Sequence, residues 1–443
     1  MTDRLFGTDG VRGIANTELT PSMAFRLGQA AAMYLGEGIV VGKDTRRSGD
    51  MLEAALVAGI TSAGGDVFAA GIIPTPAVAL LTRNMEAAGG AVISASHNPP
   101  QYNGIKFFNE EGFKLSADQE NEIEAFLHSK EEAPCPAGRA LGQVFQVDDA
   151  MTVYTDNALD SIDADIDLSY LTIAVDCGHG ASSITTVEAL KALGAQVYSI
   201  NDDFDGDIIN VDCGSTHLGP LTKLVAEVGA DVGLAHDGDA DRLLAVDETG
   251  NELDGDFIEA ICALDLHERG LLAGNTVVST VMCNLGFVKA MEANDIKVLQ
   301  TQVGDKHVLE AMRENGYVLG GEQSGHTIFL DYNSTGDGLI TALQLLSVMA
   351  RSGKKLSELA EVMERYPQKL INVEVAHKEA LAESEAIAAA VATAEAALAD
   401  QGRVLVRASG TEPLIRVMVE ARELSLAEET ALTLAGIVES ALN

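Results

Sequence analysis

The sequence predicts an α/β protein: three consecutive α/β domains followed by a smaller α+β domain at the C-terminus. Three observations predict it. A chain of 443 residues is longer than one hydrophobic core usually serves, and length alone points to about three domains. Short apolar runs rich in Val and Ile alternate with stretches of helical period through the first three units, which predicts mostly parallel sheets. After Tyr366-Pro367 the order changes to strand, helix, two strands and a terminal helix, a small unit of roughly eighty residues. Hydrophobic residues at 47% and charged residues at 22% are ordinary proportions for a globular protein with substantial cores.

In chain order, Phe6-Gly7-Thr8-Asp9-Gly10-Val11-Arg12-Gly13 is a glycine-rich turn with one arginine, followed by a helical stretch from Pro21 to Leu35. Ile39 to Gly42 reads as a strand running into Lys43-Asp44-Thr45-Arg46-Arg47-Ser48-Gly49, then a helix to Ala63. Gly90 to Ile93 is a short buried strand, and a helix near Ala117 to Leu127 completes the first domain, 1–145. Glu131 to Gln143, with two prolines and two glycines, is a boundary loop. The second domain, 151–250, opens with the strand Leu171 to Val175, the loop Asp176-Cys177-Gly178-His179-Gly180 and a helix near Thr185 to Leu193, and ends with the strand Val232 to Ala235. The third, 251–365, holds a helix to Arg269, the strand Thr276 to Ser279, a strand-to-loop passage from Tyr317 to His326, and a long helix near Gly338 to Ala350. The fourth, 367–443, holds strands at Leu370 to Val375, Val404 to Arg407 and Leu414 to Val419. Between them an Ala-rich stretch, Ala380 to Ala399, is broken by glutamates and reads as a solvated helix.

Charge narrows the function. Lys+Arg is 29 against Asp+Glu 67, a net charge of -38. Such a field repels nucleic acid and anionic membranes, so a phosphate-bearing ligand needs local basic groups or a metal to hold it. Five widely spaced cysteines without a Cys-x-x-Cys pair argue against a disulfide framework or a zinc site and fit a reducing compartment. The first residues lack the basic and apolar segments of a signal peptide, and no apolar run reaches the length of a membrane span. A cytoplasmic protein is the expectation.

Four loops carry the chemistry. Ser94-Ala95-Ser96-His97-Asn98-Pro99-Pro100 leaves a buried strand and is stiffened by its prolines, at the kind of strand end where open α/β sheets place their sites. An ordinary polar turn is the plain alternative, and adjacency of Ser96 and His97 does not make a hydrolase dyad. His236-Asp237-Gly238-Asp239-Ala240-Asp241-Arg242 alternates three carboxylates with the smallest residues. Curling of such a loop converges them on one cation, and all-oxygen ligands select Mg²⁺ or Ca²⁺. An EF-hand is disfavoured because Arg242 stands where that loop needs glycine; a solvated acidic turn is the remaining alternative. Gly320-Gly321-Glu322-Gln323-Ser324-Gly325-His326 offers an acceptor, an amide, a hydroxyl and an imidazole to a polyhydroxylated ligand. Arg407-Ala408-Ser409-Gly410-Thr411-Glu412-Pro413-Leu414-Ile415-Arg416 flanks an anion-nest sequence with two arginines, where surface salt bridges are the alternative.

Together, in this order and one per domain, these loops resemble the α-D-phosphohexomutase superfamily, and the resemblance spans essentially the whole chain. It implies mixed, mostly parallel sheets in three α/β domains, with the smaller C-terminal domain completing a central cleft. The opening Phe6 to Gly13 segment, Cys213-Gly214-Ser215-Thr216-His217 and Gln323 resemble the branch that acts on glucosamine phosphates. Leu218 departs from the proline expected there, and Pro100-Gln101-Tyr102 is one of several spellings of its segment.

The resemblance implies an isomerase that interconverts glucosamine 6-phosphate and glucosamine 1-phosphate, feeding amino-sugar nucleotide and cell-wall precursor synthesis. Ser96 would carry the phosphoryl group, and one Mg²⁺ per chain would be held by Asp237, Asp239, Asp241 and phosphorylated Ser96. Glucosamine 1,6-bisphosphate would be intermediate and activator. Lys106 or His326 would handle the proton, with Arg242 and Lys106 neutralising charge and Arg12 near the transferring phosphate. Glu322 and Ser324 would hold sugar hydroxyls; Arg407, Ser409, Gly410, Thr411 and Arg416 would grip the non-reacting phosphate. The implied partner is a small sugar phosphate, with no nucleic acid and no membrane; a homodimer is compatible, the oligomeric state being unspecified. A phosphomannomutase or phosphoglucomutase would share every chemical group. A metal-dependent sugar phosphatase would pass the phosphoryl group to water, and a non-enzymatic sensor would have no need of a nucleophile beside a metal cage.

Overall fold

The computed structural model describes residues 4–7, 9–129, 132–409 and 413–443. Thr8 of the opening turn, Glu131 of the boundary loop, and Gly410 and Thr411 of the fourth loop lie outside them. The chain forms two compact units: residues up to Met282 with Asp295–Val362, and Cys283–Asn294 with Met363–Asn443.

Three sheets belong to the first unit. The first runs in the order Phe6–Gly7, Gly10–Ile14, Tyr102–Asn109, Gly89–Ile93, Ile39–Lys43, Val67–Ile72, Val144–Gln146. Gly89–Ile93 and Ile39–Lys43 are parallel, with Lys43 opposite Ile93, so the loops after both strands leave the same edge. That edge is where a ligand site belongs in such a sheet. Tyr102–Asn109 is antiparallel to both its neighbours. The sheets are therefore mixed, parallel at the centre and antiparallel at the flank, with a larger antiparallel share than strand–helix alternation indicates. The boundary loop leads into Val144–Gln146, an exposed edge strand of this same sheet.

The second sheet runs Glu252–Leu253, Leu244–Asp247, Val232–Ala235, Thr172–Asp176, Gln196–Ile200; the third runs Lys297–Thr301, Thr276–Thr280, Leu319–Gly321, Thr327–Phe329. Helices bordering these sheets start where their capping residues dictate. Thr20 Oγ1 accepts from the Met23 N–H ahead of Pro21, Ser116 and Gln119 form a reciprocal capping box, and Asp254 caps Gly255–Glu268.

The second unit is a three-stranded antiparallel sheet, Gln368–Glu374, Leu414–Ala421, Gly402–Ala408. Ile415, Val417 and Val419 alternate onto one buried face and pack with Ala427, Ala431, Leu434 and Val438, the apolar stripe of the terminal helix Leu424–Leu442. The helix Leu285–Ala293, which lies in the 251–365 stretch of the sequence, belongs to this unit. Glu420 accepts from the Leu285 N–H (2.9 Å) and from Asn284 Nδ2 (3.2 Å), anchoring its first turn. The Ala-rich stretch begins as a 3₁₀ segment, Lys378–Glu383, before the helix Glu385–Leu398, in which only Ile387 and Leu398 are buried. Among the described residues no helix is long and apolar enough to cross a membrane, and the five cysteines are free.

Candidate active site

The acidic loop lies in the connection, residues 236–243, of an antiparallel strand pair. Strand Val232–Ala235 is buried throughout, pairs in parallel with Thr172–Asp176 and antiparallel with Leu244–Asp247, and delivers the loop to one end of the second sheet. Ala240 adopts a left-handed backbone (φ 56°), and its N–H donates to the Asp237 carbonyl at 3.1 Å. That curl turns Asp237, Asp239 and Asp241 inward until one ligand atom from each lies within 4.8 Å of the others. A Cβ at Gly238 would approach Ile209 Cδ1 at 2.6 Å, so that side chain would have to shift to admit one.

One oxygen of each carboxylate is engaged. Asp237 Oδ2 accepts from Ser96 Oγ at 2.6 Å. Asp239 Oδ2 accepts from Lys106 Nζ at 2.8 Å and Thr75 Oγ1 at 2.7 Å. Asp241 Oδ2 lies 3.4 Å from Lys106 Nζ. The other oxygen of each, Oδ1, is buried without a hydrogen bond among the described residues, Asp241 Oδ1 having Arg242 Nε at 3.9 Å. Such an arrangement costs several kcal/mol per ion unless something compensates it. Burial, then the neighbouring Asp241 and Asp239, push the Asp237 carboxyl well above its ordinary range. At Asp239 burial is outweighed by Lys106, which holds that carboxyl below the range. A cation shared by the three carboxylates would remove the repulsion and satisfy the orphaned oxygens together. The triad can bind a metal, and its all-oxygen chemistry suits a hard one.

Ser96 meets this triad from the first sheet. Strand Gly89–Ile93 is buried at every residue, and Ser96 just beyond it is fully buried with φ 51°. For a residue with a Cβ that backbone costs on the order of 1–2 kcal/mol. Its Oγ, 141 positions before Asp237 in sequence, makes the 2.6 Å hydrogen bond to that carboxylate. His97 Nδ1 is 3.4 Å from the same Oγ. Burial, then the Arg242 and Arg12 cations, push the His97 imidazole down to about 4, so the ring is neutral at physiological pH.

Arg12, Arg242, Glu322 and His326 line one cavity of ≈ 190 Å³, with His97 and Asp9 beside them. Arg12 is ion-paired to Asp9, and Lys106 Nζ joins Asp9 Oδ2 at 3.0 Å beneath it. Burial disfavours the charged Lys106, but Asp239, Asp9 and Asp241 outweigh it and raise its pKa, so it stays a cation. Glu322 Oε1 accepts from the Gly304 N–H at 3.1 Å and Ser324 Oγ lies 3.4 Å from Glu322 Oε2. Among the described residues neither ring nitrogen of His326 has a hydrogen-bond partner; Nε2 is 3.5 Å from Asp305 and 4.0 Å from Asp241. The glycine loop is tied to the acidic loop by the Leu243 N–H donating to the Gly325 carbonyl at 3.0 Å.

Arg407, Ser409 and Arg416 belong to the second unit. Arg407 stands directly opposite Arg416 across the strand pair, and burial followed by Arg416 lowers the Arg407 pKa. Like charges directly opposite on one sheet face destabilise it, a cost that an anion between them would reverse. Ser409 is buried and its N–H donates to the Leu414 carbonyl at 2.9 Å. The assignments to Gly410 and Thr411 fall outside the described residues.

Several site residues carry no signal that the sequence reading used. Asp9 was legible only as part of a turn noted for its arginine. Lys114 bridges Asp9 (2.6 Å) and Asp305 across distant segments. Thr75, Arg46 and Asn210 reach the site from outside all four loops. A Gly304-Asp305 pair after the strand Lys297–Thr301 was the available cue for Asp305.

Comparison with known proteins matches this architecture domain by domain. The phosphoglucomutase/phosphomannomutase models match as alpha/beta/alpha domain I at residues 3–134, domain II at 152–250, domain III at 254–366 and the C-terminal domain at 370–437. The chain belongs to the phosphoglucomutase/phosphomannomutase family. Within it, the phosphoglucosamine mutase of Carboxydothermus hydrogenoformans is 52% identical over 442 residues, spanning 98% of this chain and 99% of the relative. The crystal structure of a phosphoglucomutase/phosphomannomutase family protein from Burkholderia thailandensis has a TM-score of 0.84 at 25% identity, covering 100% of this chain and 99% of that one. The fold is shared also by the Aspergillus fumigatus N-acetylphosphoglucosamine mutase, crystallised with GlcNAc-6P and magnesium, at TM-score 0.72 and 19% identity over 99% of this chain and 96% of that one.

Proposed function

We propose that this enzyme is an isomerase that interconverts glucosamine 6-phosphate and glucosamine 1-phosphate, supplying amino-sugar nucleotide and cell-wall precursor synthesis. The observation that carries the reaction type is the Ser96 hydroxyl 2.6 Å from Asp237, one of three buried carboxylates that each keep an oxygen without a hydrogen bond among the described residues. A hydroxyl so placed serves as a phosphoryl carrier. The amino-sugar substrate rests on the 52% identity to a phosphoglucosamine mutase over nearly the full chain.

Ser96 rests as phosphoserine. The free hydroxyl of the sugar monophosphate attacks its phosphorus, the Oγ–P bond breaks, and glucosamine 1,6-bisphosphate forms. The bisphosphate turns round, Ser96 Oγ attacks the other phosphoryl group, and the isomeric monophosphate leaves. Asp237, Asp239, Asp241 and a phosphoryl oxygen would hold Mg²⁺, which supplies charge neutralisation to the transferring group. Such transfer asks for positioning and electrostatic stabilisation rather than further covalent chemistry.

Lys106, Arg242 and Arg12 add positive charge around the transferring phosphate. His326 takes the proton of the attacking sugar hydroxyl and returns one to the leaving oxygen. It lines the cavity with no hydrogen bond to either ring nitrogen among the described residues, its Nε2 lying 3.5 Å from Asp305, whereas Lys106 is committed to Asp9, Asp239 and Asp241. Glu322 and Ser324 hold sugar hydroxyls, and Arg407, Ser409 and Arg416 hold the phosphate that is not reacting.

A substrate panel tests the proposal. Glucosamine 6-phosphate should turn over at a higher kcat/KM than glucose or mannose 6-phosphate, without continuous release of inorganic phosphate. Equal or better rates on glucose or mannose phosphates would reassign the substrate, and steady phosphate release would make the enzyme a phosphatase.

A further inference from the structure

The Ser96 loop is held from behind by two side chains outside the four chemical loops. Arg46 follows the strand Ile39–Lys43 and its side chain is wholly out of solvent. A guanidinium has five N–H donors in one planar fork, and here each has its own acceptor. Nη2 donates to the carbonyls of Ser96 (2.9 Å) and Asn98 (2.7 Å), and Nη1 to those of Pro99 (2.6 Å) and Tyr102 (3.0 Å). Nε donates to Asp44 Oδ2 at 2.9 Å. That oxygen also accepts from Ser94 Oγ (2.7 Å), which in turn accepts from the Ser96 N–H (2.8 Å). Both backbone polar groups of Ser96 are thereby tied to one buried ion pair. Asn210 adds a second grip: Nδ2 donates to the same Ser96 and Asn98 carbonyls at 2.8 and 3.2 Å. The next residue in sequence, Arg47, is 82% exposed and pairs with Asp207.

We propose that Arg46 and Asn210 are positioning residues that hold Ser96 in its left-handed backbone and so keep Oγ aimed at the carboxylate triad. This role rests on Ser96 being the phosphoryl carrier. An unclamped loop would relax from φ 51° to the ordinary region and swing the hydroxyl away from Asp237. The proposed cycle uses that hydroxyl twice, as leaving group and as nucleophile, so misplacement would slow both half-reactions. Substrate recognition lies elsewhere and would be spared.

The test is steady-state kinetics on the full-length enzyme with glucosamine 6-phosphate and Mg²⁺, with thermal melting run alongside. Arg46→Lys, with three donors for five acceptors, should lose about 100-fold in kcat with KM unchanged, and Asn210→Ala should lose about tenfold in the same pattern. Arg46→Ala should regain kcat on addition of non-denaturing guanidinium. Wild-type kcat in both Arg46→Lys and Asn210→Ala overturns the proposal, as does a loss that follows melting temperature and ignores guanidinium. Should Arg46→Ala fail to fold, the kcat of Asn210→Ala decides. Ser96→Ala separates the two layers: an inactive Ser96→Ala with fully active clamp variants removes the clamp alone, while an active Ser96→Ala removes the carrier role and the clamp with it.

Discussion

His97 from the Ser96 loop and Glu322 and His326 from the glycine loop line the same cavity, and both loops have hydrogen-bonded backbones, yet the groups that meet a ligand are held differently. Around Ser96 the backbone is saturated: its N–H and carbonyl, and the carbonyls of Asn98, Pro99 and Tyr102, all meet buried donors or acceptors. Among the described residues the His326 ring nitrogens make no hydrogen bond, Nε2 lying 3.5 Å from Asp305, and Ser324 has a long contact to Glu322. The atom that must return to one place is over-determined. The groups that greet a ligand presented in two orientations keep their hydrogen bonds in reserve. In such a division the cost of misplacing the first is catalytic, and the cost of removing the second is paid only when substrate is bound.

Predictions follow the size of that asymmetry. Ser96→Ala should abolish mutase activity, by about 10⁴-fold or more in kcat, while sugar-phosphate binding by calorimetry survives; turnover near wild type would break the comparison at its root. Asp237→Asn should cost about 10³-fold in kcat. It should also raise the melting temperature of the metal-stripped protein, because it removes one of three mutually repelling buried carboxylates. A lower melting temperature would show that the repulsion is not there.

His326→Gln should cost about 100-fold in kcat with only a small change in melting temperature, since the ring nitrogens make no hydrogen bond among the described residues and the nearest charge, Asp305 at 3.5 Å, is also paired with Lys114. A large stability loss would mean that the His326 ring is held as firmly as Ser96. Arg407→Ala should raise KM about tenfold with a smaller effect on kcat, because the fixed phosphate supplies binding energy away from the reacting centre; an unchanged KM would count against the phosphate role of that strand pair.

The legible part of the site was the part written contiguously. Asp237, Asp239 and Asp241 share one short loop, and Ser96 follows directly from an apolar strand, so residue type and spacing carried their chemistry. The illegible part is assembled by folding. Asn210 is 114 positions from the carbonyl it holds, and Lys114 is 191 positions from Asp305. No local pattern records such pairs.

Function also hid structure. Tyr102–Asn109 is a buried strand with Lys106, a charged residue at 2% exposure, in the middle of it, and Asn103-Gly104 at its start looks like a turn. The lysine that serves the site is what spoils the strand's apolar pattern. Val67–Ile72 is masked in another way: Gly71 (φ 73°) and a register shift opposite Gly42 interrupt its alternation. Strand–helix alternation describes only the parallel centre of the first sheet; the expectation of mixed sheets came from the resemblance, and Tyr102–Asn109 forms the antiparallel flank.

The most direct test of the central claim is the covalent state of Ser96 through a turnover. Enzyme incubated with Mg²⁺ and glucosamine 1,6-bisphosphate should show, by intact mass and peptide mapping, one phosphoryl group on Ser96 that disappears when excess glucosamine 6-phosphate is added. A protein that turns over with Ser96 unmodified, or with a phosphoryl group there that never exchanges, would contradict the account.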